Sequence, residues 1–298
     1  MRGLWLPAAA GLLVPQPGLI LPDRQIVMSS RELVVPGQIA PITMAGGMLL
    51  NPFSFGAGVG GEPGAEIVYV GGTTAEGIHS DATHSVDLTA LTGGIGSSPA
   101  EGDYVLFTYG KESSSDQTLS MSTAGYSKLT DPDLYGNDSI DVNLAVFSKF
   151  MGPSPDTTAV AANPTTASAW AAAFSVQVWR GVDPITPLDV ALTTATGGNS
   201  GHPNPPAITP STLGAVIVVC AGACSLNGGA TLSQSGSELS NFIAVYGDNN
   251  DATNNDVTVA MGSKAWDGSG AFDPVALVGN TSGSIAWAAA TLALRPAA

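Results

Sequence analysis

Between Ser168 and Arg180 bulky and small side chains alternate. Trp170, Phe174, Val176 and Val178 fall on one side of an extended chain, and Ala171, Ala173, Ser175 and Gln177 on the other. A period of two is the signature of a strand with one bulky, buried face. The surrounding stretch, Val142–Asp189, has echoes near the end of the chain. Val142-x-Leu144-Ala145-x-x-Ser148-Lys149 returns as Val257-x-Val259-Ala260-x-x-Ser263-Lys264, at an offset of 115 residues. Ala169-Trp-Ala-Ala-Ala173 returns as Ala286-Trp-Ala-Ala-Ala290, at an offset of 117. Two matches at nearly one offset point to a duplicated strand unit.

Composition agrees with strands and turns. Only 11% of the 298 residues are charged, well under the usual quarter, while glycine (37) and proline (21) are abundant. The net charge of −15 leaves no basic stripe for phosphate, so nucleic acid is not an expected partner. Residues 1–60 differ from the rest: three basic and two acidic side chains, against six and twenty-two in residues 61–298. The opening MRGLWLPAAAGLLV imitates a secretion signal, but Pro7 interrupts it and the cleavage pattern is weak. No apolar run reaches the ~18–20 residues of a membrane span, so a soluble protein without membrane insertion is expected.

Seven prolines (7, 15, 17, 22, 36, 41 and 52) interrupt residues 1–60. That density blocks helices and central strands. The apolar runs between them, Leu19-Ile20-Leu21 and Leu33-Val34-Val35, argue against a solvated tail. The expected form is an extended strap docked on a neighbouring subunit, with a strap wrapped on its own body as the alternative. Beyond the boundary GGEPG, strands are expected at Glu66–Val70, Tyr104–Tyr109, Gly125–Leu129, Val142–Phe150 and Ser168–Arg180. The proline-rich stretch 197–210 reads as a linker, followed by strands at Ala215–Ala221, Phe242–Tyr246, Val257–Lys264 and Ile285–Leu294. With no amphipathic helix between them, these predict an all-β, two-sheet antiparallel sandwich of jelly-roll type over 61–298. Its halves fall at about 61–200 and 211–298.

Catalytic motifs are missing from this sequence: no G-x-S-x-G, H-E-x-x-H, phosphate loop or dinucleotide fingerprint is present. The chain is not read as an enzyme. Asp248, Asp251 and Asp256 form the one calcium candidate, in an Asp/Asn-rich loop that departs from the EF-hand spacing. The competing expectation there is a plain hairpin loop, and no other cofactor is expected. His79 and His84 flank Asp81 and are expected as exposed loop residues. Cys220 and Cys224, ~13 Å apart along one strand, are too distant for a disulfide and are expected as buried small hydrophobes. Asp131, Asp133, Asp183 and Asp189 are expected as solvated loop acids, and Arg180 as the partner of a loop carboxylate. Tyr126, Tyr135, Trp266 and Phe272 are loop aromatics that could stack on sugar rings.

Several short motifs resemble a β-sandwich module of tailed-bacteriophage virion proteins. They are Gly102-Asp-Tyr-Val, Gly125-Tyr126, Leu144-Ala-Val-Phe-Ser-Lys149 and Trp179-Arg-Gly-Val-Asp-Pro184 with Pro187-Leu-Asp189. Asn51-Pro-Phe-Ser-Phe-Gly56 resembles a segment that precedes such modules in tail proteins. The resemblance implies a virion structural protein, assembled in the host cytoplasm, in a tail fibre or the distal tail. A head decoration protein and a host-glycan-binding adsorption module are the alternatives. The implied partners are other virion proteins, copies of the chain itself and host surface glycan. Docking through the arm would use Leu19, Ile20, Leu21, Leu33, Val34, Val35, Pro52, Phe53 and Phe55.

Overall fold

The computed structural model describes residues 65–77, 81–138, 141–164, 170–198, 202–225, 231–247, 256–279 and 286–298. These form strands joined by turns and irregular chain. The strands are β1 (Val68–Gly77), β2 (Thr83–Asp87), β3 (Tyr104–Ser113), β4 (Ser120–Met121), β5 (Ser127–Lys128), β6 (Leu134–Gly136) and β7 (Asp141–Phe150). Then come β8 (Thr158–Ala162), β9 (Ala172–Arg180), β10 (Thr193–Gly197), β11 (Val216–Ser225), β12 (Ser240–Gly247), β13 (Asp256–Ala265) and β14 (Trp287–Leu294). The first sheet has the order β1-β9-β3-β7-β5, with β6 also on β7; the second is β10-β14-β11-β13-β12; the third is β2-β8-β4. Every pairing between strands is antiparallel. The chain is an all-β antiparallel sandwich, as expected, but with three sheets rather than two.

The duplication extends through both large sheets. In each, the first strand lies at an edge beside the last, followed by the second, the next-to-last and the third. Register confirms the match. Gly110 of β3 faces Leu144 of β7 and Ala173 of β9, while Gly222 of β11 faces Val259 of β13 and Ala288 of β14. The β7/β13 offset is thus 115, as the sequence echo has it. The last strands also match at 115, so that Arg180 corresponds to Arg295. The Ala-Trp-Ala-Ala-Ala echo at 117 lies two residues off this register. An alanine run offers several equivalent alignments, and a two-residue slip keeps each side chain on its face. β10, placed in the first half on sequence, is the edge strand of the second sheet.

The outer layers repeat as well. β2, β8 and β4 cover the first sheet. The corresponding segments of the second half cover the second sheet, joined by the bridges Ile208↔Phe272 and Ser233↔Val278. Each half therefore passes back and forth between two layers. The two large sheets then stack on each other reciprocally: β3 on β11, β9 on β13, β7 on β14, β1 on β12 and β6 on β10. This is the geometry of a twofold dimer built into one chain.

Stacking on both sides explains why β3 is buried at every position and β9 up to Trp179. The bulky face of β9, Phe174, Val176 and Val178, packs with Val86, Leu88, Ala159 and Ala161 beneath the third sheet. Its small face is buried too, with Ala171 and Ala173 against Val257, Val259 and Ala288. Small residues there let the sheets approach. A Cβ on Gly110 would stand 2.3 Å from Val259 Cγ1, and one on Gly222 3.0 Å from Leu144 Cδ1. Trp170, counted with the bulky face on sequence, precedes β9 and is half-buried.

Candidate functional site

At one end of the stacked sheets the two halves repeat a polar pair. Tyr135 Oη donates to Asp141 Oδ2 at 2.5 Å, and Tyr246 Oη donates to Asp256 Oδ2. Both carboxylates are buried at the first residue of β7 and β13. Each tyrosine precedes a glycine that the opposite sheet requires. Gly136 lies against the Trp287 carbonyl, where a Cβ would be 2.6 Å away, and Gly247 lies 2.3 Å by the same measure from the Ala172 carbonyl. A Tyr-Gly followed by Asp-Val thus marks each half, a signal the sequence reading missed. Cys224 Sγ donates to the Asp141 carbonyl at 2.8 Å. Burial, with Glu112, Asp141 and Asp256 nearby, pushes the Cys224 thiol well up; both cysteines are free and buried, as expected.

Of the calcium candidates, Asp256 is the start of a buried strand with its carboxylate bonded to Tyr246. Asp248 and Asp251 lie outside the described residues. Among the described residues no three His, Cys, Asp or Glu side chains are grouped to hold a metal. Near this end two basic groups are buried under the third sheet. Lys111 is fully enclosed, donates to the Trp170 carbonyl at 3.4 Å, and is pushed down to about 8 by burial, with Glu112 opposing. His84, expected on an exposed loop, is instead buried on β2 against the Phe174 ring. Burial and then Lys111 push it down to about 4, with Asp81 pulling the other way. Its burial follows from the stacking of β2 on the first sheet. His79 lies outside the described residues.

The opposite end carries Gly102-Asp103, Gly125-Tyr126 and the stretch Trp179–Asp189. Arg180, at the end of β9, grips Asp103 through Nε to Oδ1 at 2.8 Å and Nη2 to Oδ2 at 3.0 Å, so the expected carboxylate partner is found. Asp183 accepts the amides of Ile185 and Thr186, which hold its carboxyl below the usual range. Asp189 accepts the amides of Ser211 and Thr212 at 2.5 and 3.0 Å. These turns shape residues 181–189 into a connector along the end of β14. Asp183 N donates to Arg295 O, Asp189 N to Ala293 O and Arg295 N to Pro187 O. Lys149 closes the other motif pair: its ammonium lies 5.4 Å from the centre of the Tyr126 ring and is bound to Asp156 at 2.6 Å.

Between this connector and the end of β7 lies an open groove of about 620 Å³. Tyr104 and Phe150, with ring centres 4.6 Å apart, line it together with Leu129, Pro187 and Leu188.

The remaining sequence candidates are structural. Asp133 is bound by Lys128 at 2.7 Å and by the Leu119 amide, so it is not a solvated loop acid. None of the four loop aromatics is exposed: Tyr126, Tyr135 and Trp266 are half-buried and Phe272 is buried. Trp266 Nε1 donates to Gly270 O, and Lys264 stands over the Phe272 ring. Leu19, Ile20, Leu21, Leu33, Val34, Val35, Pro52, Phe53 and Phe55 lie outside the described residues. No family model, curated protein or solved structure matches the chain.

Proposed function

We propose that the chain is a structural subunit of a tailed-bacteriophage particle, most simply of a tail fibre or the distal tail. Its arm, residues 1–60, docks it to neighbouring virion proteins or copies of itself, and its acidic body projects from the particle. One observation carries the reading. Among the described residues, the motifs behind the resemblance make contacts with one another: Asp103 binds Arg180, Asp183 and Asp189 shape the connector, and Lys149 closes over Tyr126. Every one of these residues works on the build of the module. A likeness confined to architectural residues is what one assembling module would share with another, although fold by itself does not decide function.

The test is localisation. Gold-labelled antibody to the body is expected to mark the tails of particles from the phage that carries the gene. Label on the head lattice would assign the decoration role instead. Purified particles without label would overturn the reading. Deleting residues 1–60 is expected to leave a body that melts cooperatively and no longer enters particles.

A further inference from the structure

We propose that the groove between the end of β7 and the connector receives Pro52-Phe53-Ser54-Phe55 from the arm of a neighbouring copy. The inference rests on the assembling-subunit reading above and names the surface through which the arm would act.

Three features of the molecule point to it. The first is the chemistry of the groove. Tyr104 and Phe150 form an aromatic floor, and Pro187 and Leu188 a proline-rich rim. Its one cation, Lys149, is neutralised by Asp156 and bonded to the Ala124 carbonyl. Ser127, Ser148 and Thr186 add hydroxyls to this lining, so the groove suits an uncharged guest with apolar side chains and backbone polar groups, and its volume is within the ~300–1,000 Å³ of ordinary ligand pockets. Ile185, between the lining residues Pro184 and Thr186, is 88% exposed.

The second is where the described chain starts. Ala65 N donates to Ala297 O at 2.8 Å, and the Glu66 carbonyl lies against Gly181, the first residue of the connector. The described chain therefore begins at the end of the body that bears the groove. Residues 57–64 read AGVGGEPG, with four glycines. Chains of that composition reach about 5–6 Å × √n, or roughly 16 Å for eight residues.

The third is the guest itself. Proline disfavours a helix interior, and a strand-like docked form would put Phe53 and Phe55 on one side. Proline-containing extended segments dock into aromatic-lined grooves as a general mode of recognition. The segment carries no charge, which suits a groove whose only ammonium is already paired.

Disulfide trapping in the full chain tests this. One tagged chain carries Phe53→Cys and a second, differently tagged, carries Thr186→Cys at the groove rim; native Cys220 and Cys224 are buried and do not compete. A control partner carries Ser85→Cys, exposed on β2. The link between the two tags is expected at about tenfold the yield of the control pair, because docking raises the local concentration. Adding Ser127→Arg, at an exposed groove position, is expected to abolish that excess with the melting temperature unchanged. Equal yields at Thr186→Cys and Ser85→Cys would overturn the proposal, as would a chain carrying both Phe53→Cys and Thr186→Cys that links only within itself. Particle incorporation separates the two ideas. If arm deletion blocks entry but Ser127→Arg enters normally, the groove assignment falls and the assembly reading stands; if the arm-deleted chain enters, the assembly reading falls.

Discussion

Asp103 is completely buried, while the guanidinium that neutralises it is 48% exposed. The two ends of the pair therefore differ in consequence. Removing Arg180 strands an anion inside the body, which typically costs about 3–5 kcal/mol when no water can replace the partner. Water can reach this side of the pair, so Arg180→Ala is expected to destabilise by roughly 2–3 kcal/mol in urea unfolding. Arg180→Lys keeps the charge but not the two-pronged bond, and should fall between. His84 supplies the pH dependence. Its pKa is about 4 in the folded protein against about 6.5 in an unfolded chain, so between these values the unfolded chain binds more protons. The associated stability is complete above pH 6.5 and drains away as pH falls towards 4, by at most about 1.4 kcal/mol per unit. Lys111 and Asp81 act on the imidazole in opposite directions, Lys111 lowering its pKa and Asp81 raising it. Urea midpoints taken at pH 7.5, 5.5 and 4.5 should decline for the native chain and decline less for His84→Leu.

Gly110 shows how one element depends on the sheet stacked upon it. Its missing side chain leaves room for Val259, and a methyl group would stand 2.3 Å from Val259 Cγ1. Overpacking of this kind costs about 1–3 kcal/mol. Gly110→Ala should therefore destabilise, and Val259→Ala should rescue part of the loss, giving a double-mutant cycle that is clearly non-additive in urea unfolding. This close approach also marks where the sequence stopped being legible. The long strands were readable because β-branched and aromatic residues alternate in them. The β7/β13 register was readable because Ser148-Lys149 and Ser263-Lys264 pin it at their ends. The β9/β14 register slipped because alanines carry no such marker. The small face of β9 was not recognised as a second buried face, since Ser175 and Gln177 look solvent-facing until another sheet is laid over them. The third sheet went unseen for a related reason. THSVD and TAVAA are short, partly polar strands whose burial, with that of His84, comes entirely from stacking. At the candidate site, scarcity of cations made the role of Arg180 readable, while the groove is assembled from segments some 80 residues apart in sequence, which no local pattern reveals.

At the scale of the whole molecule, the contact between the two large sheets is the quantity to test. Tyr104, Leu106 and Val146 of the first sheet meet Val218, Met261 and Leu292 of the second in one apolar cluster. Either half alone would present that face to water, well beyond the patches that stay soluble. The halves are also laced together: β10 leaves the connector and pairs with β14 from Thr193↔Thr291 to Gly197↔Trp287. Opening the chain at 199–201 would therefore place an edge strand of the second sheet on the first fragment. Fragments 1–200 and 201–298, produced together, are expected to co-purify as a stoichiometric pair with a single cooperative melt. Produced separately, each is expected to aggregate, because β10 then lacks its ladder and both inner faces lack their cover. A soluble, cooperatively melting fragment 1–200 would show that the first half is stable by itself. The reciprocal stacking would then join two independent bodies, and the duplicated halves would be domains instead of the two leaves of one core.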